Sequence, residues 1–301
     1  MKQTQAFLST YTADVSGVCS ALFELGGMTV MHDASGCNST YNTHDEPRWY
    51  DMDSLVYISG LSELEAVMGD DEKLITDIVD AARQLHPRFI ALAGTPIPMI
   101  TGCDLPAIAR EVEGRTNIPS FAVPSNGIGT YVAGAGQALR LYAERFITKA
   151  PDKRKNAVNI LGATPLDFSV NGCVQSMARR LEEAGFTLQS VFAMSSSIDA
   201  IDKAGAAEAN LVVSSVGLPA AQYLQAQFGT PYVIGAPFGD SFSPYVFDAL
   251  RESIRTGAPA DVLGTFAPDA PDTIILGESV TAKSLAAALA VGYGIRARVI
   301  C

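Results

Sequence analysis

The chain has 301 residues, of which 48% are hydrophobic and 18% charged, and its net charge is −11. That length suggests about two domains, and the composition excludes a disordered or fibrous chain. With only 21 basic residues, a nucleic-acid-binding face is not expected. Met1-Lys2-Gln3-Thr4-Gln5 lacks the apolar stretch of a signal peptide, and no run approaches the ~18 apolar residues of a membrane span. A cytoplasmic location is therefore expected. Five cysteines, an odd number, argue against a disulfide framework and for thiols or metal ligation.

In chain order, residues 1 to about 20 read as a polar arm. From 21 to 150, strands alternate with helices: strands at 29–31, 55–59, 89–93 and 120–123, helices near 74–85 and 106–112, and a loop at 96–99. This alternation predicts a parallel α/β sheet. Lys-Ala-Pro-Asp-Lys-Arg-Lys-Asn (149–156) reads as a linker. A second α/β unit follows, with strands at 157–161, 188–192, 211–214 and 232–234. Its helices are expected at 174–184, stopped by Gly185, and at 219–228. A strand at 273–276, a helix at 282–291 and a strand at 297–300 end the chain. The fold expected is α/β, with two Rossmann-like parallel-sheet domains, 1–150 and 156–260, and a partial third β-α-β unit, 261–301.

The stretch richest in chemistry is His32-Asp33-Ala34-Ser35-Gly36-Cys37, followed by Asn42-Thr43-His44-Asp45-Glu46-Pro47. A strand over 28–31 and a turn at Ser35-Gly36 would put Cys37 at the start of a helix. Unpaired N–H groups and the helix dipole there lower a thiol's pKa, which suits a soft metal or an iron–sulfur cluster. His44, between Asn42 and Asp45-Glu46, is a catalytic candidate for proton relay or substrate contact; His32 reads as structural. Trp49 and Tyr50 either border a substrate cavity or cover the cysteine region. No Gly-x-x-x-x-Gly-Lys-Ser/Thr occurs, and no Gly-x-Gly-x-x-Gly follows a strand, so no nucleotide site is expected. Gly134-Ala135-Gly136 falls inside a helix.

Taken in order, these segments resemble the nitrogenase component 1 family. That family includes nitrogenase catalytic subunits, cofactor-assembly scaffolds, the dark-operative protochlorophyllide reductase and the reductive cyclase of coenzyme F430 synthesis. The resemblance runs collinearly from about Val15 to Phe242, through the strand and His32–Cys37 motif, the Asn-x-His region, the acidic helix start at Gly69-Asp70-Asp71 and the strand ending at Gly94-Thr95. It departs where the family's Ser-Thr-x-Cys supplies a third cluster thiolate, because this chain has Ala93-Gly94-Thr95-Pro96. Where the family has Gly-Asp-Asp, this chain has Gly102-Cys103-Asp104. Ser214-Ser215 stand where active nitrogenases carry a cofactor-ligating cysteine, so an iron–molybdenum-type cofactor bound in the usual way is not expected.

The resemblance implies Cys19 and Cys37 as cluster ligands, Cys19 lying close to the family's upstream cysteine. Cys103 either replaces the lost thiolate or is a neutral exchange for aspartate, and Ser125 is either an oxygen ligand or a turn serine. Cys173 reads as structural. Two cysteines per chain cannot complete a [4Fe–4S] site, so a homodimer sharing one cluster between chains is expected. The implied function is an oxidoreductase relaying electrons through that cluster from an ATP-hydrolysing iron–sulfur reductase partner to a small-molecule substrate. The alternatives are a non-catalytic cluster or metallocofactor scaffold, and a metal-free small-molecule binder. The cleft loops expected at the carboxyl ends of the strands are 94–97, 162–168, 214–218 and 236–241. The last β-α-β piece stands where the family opens a third full domain, so that domain is either cut back or truncated.

Overall fold

The computed structural model describes residues 13–34, 36, 41, 46–147, 152–264, 271 and 273–301. The first α/β unit holds α1 (Asp14–Leu22), β1 (Met28–His32), β2 (Leu55–Ile58), α2 (Glu63–Met68), α3 (Asp71–Leu85), β3 (Ile90–Gly94), α4 (Pro96–Thr101), α5 (Leu105–Thr116), β4 (Ser120–Val123) and α6 (Tyr131–Phe146). Its four strands form a sheet in the order β2-β1-β3-β4, every pair parallel. Met28, Val30, Ile90 and Leu92 point to one face, against Ile78 of α3 and Ile108 of α5. Met31, Ala91, Ala93 and Val123 point to the other face, against α1 and α6. Both faces are buried, which is why these strands read as unbroken apolar runs.

The second unit holds β5 (Ala157–Leu161), α7 (Pro165–Phe168), α8 (Cys173–Glu183), β6 (Thr187–Val191), α9 (Ile198–Asp202), β7 (Ala209–Val212), α10 (Leu218–Phe228), β8 (Tyr232–Ile234), α11 (Gly239–Thr256) and β9 (Ala260–Asp261). Its five-stranded parallel sheet has the order β6-β5-β7-β8-β9. Last come β10 (Thr273–Leu276), α12 (Ser279–Tyr293) and β11 (Ala297–Ile300), the two strands pairing in parallel. One apolar core runs from α1 and α6 through Leu224 of α10 to Leu161 and Val212, so helices sandwiched between the two sheets join them.

Two expectations are corrected. The polar arm is instead, over Asp14–Leu22, a wholly buried helix. Its interior comes from close backbone approach rather than bulk: a Cβ on Gly134 of α6 would collide with the Asp14 carbonyl, and one on Gly17 with the Tyr131 carbonyl. Small residues let two helix backbones touch, so the segment looks too polar for a core. The loop expected at 96–99 is the first turn of α4. Pro96 and Pro98 fall in that turn, where a missing N–H is no loss.

Candidate functional site

Loops at the carboxyl ends of β3 and β5 run so close to neighbouring backbone that only small residues fit. Gly94 closes β3 where a Cβ would meet the Ser125 carbonyl. Gly162 leaves β5 at φ +89°, with the Ser214 carbonyl and the Gly217 amide against its missing side chain. On the first unit's side, the Asp14 carboxylate accepts the Asn126 and Gly127 amides at 2.9 and 2.7 Å. That fixes the turn leading into Tyr131 at the start of α6.

On the second unit's side, Asp167 of α7 holds the seam. The Tyr131 hydroxyl donates to its Oδ1, and the Ser214 hydroxyl to its Oδ2 at 2.6 Å. Burial pushes the Asp167 carboxyl up to about 7; the Ser214 hydrogen bond opposes this and the Glu278 carboxylate adds to it. Glu278 itself lies below its ordinary value. Burial would raise it, but the Ser215, Val280 and Thr281 N–H groups outweigh that. A carboxyl that keeps its proton near neutrality therefore stands beside one held ionised, the arrangement by which proteins assign acid and base roles.

A second polar cluster lies beside Cys19. Arg48 donates from Nε to Glu46 at 2.7 Å, and from its terminal nitrogens to Glu24 at 2.8 Å and to the Ser20 and Ala193 carbonyls at 2.7 and 3.0 Å. Its guanidinium also sits 4.7 Å from the Phe23 ring centre. Glu46 further accepts from Ser20 and Tyr41 at 2.8 and 3.2 Å. Cys19 is fully buried, and its thiol is pushed far up, by burial first and by the Glu46 carboxylate second.

Cys37 and His44 lie outside the described residues. Tyr41, four residues beyond Cys37 in the sequence, packs into the same core as Cys19. Cys103 packs on the opposite face of the first sheet, its sulfur 3.7 Å from Asp71 and its thiol pushed up to about 12 by burial and Asp71. The structure therefore does not bring Cys103 together with Cys19. Ser125 donates to the Gly94 carbonyl at 3.0 Å, inside its turn. His32 lies 2.9 Å from the Ser59 hydroxyl, and burial lowers its pKa. Trp49 packs against the first core, whereas Tyr50 is 81% exposed. Among the described residues, no group of three or more His, Cys, Asp or Glu could hold a metal ion. A metal at Cys19 would need the thiolate that burial disfavours there.

Arg48, Tyr131, Asp167 and Glu278 were not singled out from the sequence. Tyr131 and Asp167 meet 36 positions apart, and Arg48 and Glu278 join local partners to ones far along the chain. A Glu-x-Arg pair next to a cysteine-bearing motif was the one signal available.

Comparison with known proteins agrees with the fold. Residues 16–265 match the model of the nitrogenase component 1 type oxidoreductase family. A light-independent protochlorophyllide reductase chain from Nostoc punctiforme is 28% identical over 57% of this chain and 36% of that protein. The nitrogenase iron-molybdenum cofactor biosynthesis protein NifE of Methanosarcina barkeri is 26% identical over 61% of this chain and 42% of its own length. The chain thus spans well under half of these curated relatives. A nitrogenase Cp1 structure at pH 5 superposes with a TM-score of 0.69 at 18% identity, covering 99% of this chain and 65% of that one, and shares the fold. This chain belongs to the nitrogenase component 1 type oxidoreductase family.

Proposed function

We propose that this chain is a nitrogenase-like component 1 protein, organised as units 1–150, 156–260 and 261–301, that works as a homodimer around one shared iron–sulfur cluster. Cys19 and Cys37 of each chain would hold it, and a [4Fe–4S] group supplies one-electron transfer when bound. Electrons would come from an ATP-hydrolysing iron–sulfur reductase and serve a small-molecule substrate in the carboxyl-end crevice. The observation that carries this reading is the family match across both sheets, joined to a buried Cys19 in the core that also takes in Tyr41. Cys103, on the far face, is left out of the ligand set. Ser125 stays a turn residue, and His44 a candidate proton relay.

The test is anaerobic purification with iron, sulfide and mass measured together. Wild type should carry about two irons per chain as a dimer, and Cys37→Ala and Cys19→Ala should each lose them, whereas Cys103→Ala should not. Iron below about one per chain, or a monomer with the cluster intact, would overturn the reading. Similarity to a cofactor biosynthesis protein favours a second reading, a scaffold that holds and delivers a cluster. ATP-dependent oxidation of an added iron–sulfur reductase marks the oxidoreductase. Cluster transfer to an acceptor protein without that oxidation marks the scaffold.

A further inference from the structure

We propose that Asp167, held between the Tyr131 hydroxyl of the first unit and the Ser214 hydroxyl of the second, is a proton-gated joint of the crevice. Neutral, it keeps the two edges together; ionised, it lets them part. Three elements meet at this carboxyl: Tyr131 opens α6, Ser214 follows β7, and Glu278 caps α12. The groups facing Asp167 are the Tyr131 phenol, the Thr164 hydroxyl at 3.5 Å, the Ser214 hydroxyl and the Glu278 carboxylate. Among the described residues neither Asp167 nor Glu278 forms a salt bridge, so nothing cationic offsets a second charge.

Protonation therefore decides the joint. The neutral acid can keep both hydroxyl contacts, accepting from one and donating its own proton to the other. The ionised form can also accept from both, but it does so buried and beside the negative Glu278. Glu278 cannot retreat, because three backbone N–H groups hold it. Relief comes only from letting water in, and the seam between Tyr131 and Asp167 is where the two units meet. The raised Asp167 value, about 7, puts the change near neutrality. Because the folded state binds this proton more tightly than the unfolded chain, the stabilisation is present at low pH. It is lost as pH rises through about 7. The device is independent of which ligand the crevice takes and of whether a cluster is bound.

The experiment follows the whole chain from pH 5.5 to 8.5 by melting temperature and by hydrogen exchange corrected for its intrinsic pH dependence. Wild type should lose several degrees as pH rises from 5.5 and level off above about 7, peptides covering 127–131 and 164–168 should lose about tenfold of their protection, and the Asp167 carboxyl should titrate with a midpoint near 7. Asp167→Asn, which cannot ionise, should stay flat and be the more stable form above pH 8. Glu278→Gln removes the like charge and should move the wild-type midpoint to lower pH. It serves as the second variant if Asp167→Asn does not fold. A wild-type profile matching Asp167→Asn, an Asp167 carboxyl titrating below about 5 by carbon-13 NMR, or an unmoved midpoint in Glu278→Gln would each overturn the proposal.

Discussion

Two buried polar clusters tie the first sheet's unit to the second's, and they are neutralised by different means. At Arg48, one guanidinium meets two carboxylates, Glu46 and Glu24, and reaches across to the Ala193 carbonyl. Burial pulls Arg48 down, but its hydrogen bonds to Glu46 and Glu24 leave it above its ordinary value, so it stays charged at any working pH. At Asp167 no cation is at hand among the described residues, and below about pH 7 the carboxyl is neutralised by a proton instead. The first staple is fixed and the second is adjustable. On the proposed joint, the seam between the units opens at Asp167 and not at Arg48.

The largest expected effect breaks the fixed staple. Arg48→Met strands the buried Glu46 with no counter-charge and frees the half-buried Glu24, and should cost about 3–5 kcal/mol in denaturant titration. Adding Glu46→Gln to it should recover part of that loss, because the stranded charge causes most of the damage. If Arg48→Met alone costs under about 1 kcal/mol, the pair is not desolvated in solution and the contrast with Asp167 fails.

Gly134→Ala tests whether the two clusters share a frame. The added methyl meets the Asp14 carbonyl and must push α1 off α6. Helix α1 carries Ser20, whose carbonyl accepts Arg48, and Asp14, which sets the turn before Tyr131. A loss of about 1–3 kcal/mol is expected, with the pH profile of the Asp167 joint altered as well. An unchanged profile would show that the clusters are independent.

What the sequence revealed and what it hid divides along the same line. Strands β4, β8 and β11 are legible to the residue, because short runs rich in apolar β-branched and aromatic residues and bounded by turn residues read as strands. Helix α1 was hidden by its small residues, and α4 by two prolines that a first turn accepts. The charge pair lies within three consecutive residues, Glu46-Pro47-Arg48, and could have been noticed. Asp167 could not. Pro165-Leu166-Asp167-Phe168 carries no motif, and apart from a long contact to Thr164 the groups that bond to it or raise its pKa lie 36, 47 and more positions away. A family resemblance covers the cysteine region well because its motifs are local. Cys103 shows the limit of that: a cysteine near the right place in sequence lies on the wrong face of the sheet.

The smallest effect is the most discriminating. Ser214 is fully buried, and its hydroxyl both donates to Asp167 and accepts the Val216 amide at 3.3 Å. Ser214→Ala should cost about 1 kcal/mol near neutral pH, the usual net value of one buried hydrogen bond. The sign of its pH effect is what matters. The hydroxyl stabilises the ionised carboxyl and so lowers the Asp167 value. Its removal should raise that value further, and the pH at which stability is lost should move upward from about 7. Above that midpoint the variant should be the weaker protein by more than at pH 5.5, because an ionised Asp167 then lacks one of its two close donors. A midpoint that moves downward would mean that Ser214 chiefly accepts the proton of the neutral acid. The joint would then be held by Asp167 as donor, with Tyr131 as the remaining partner of the charge.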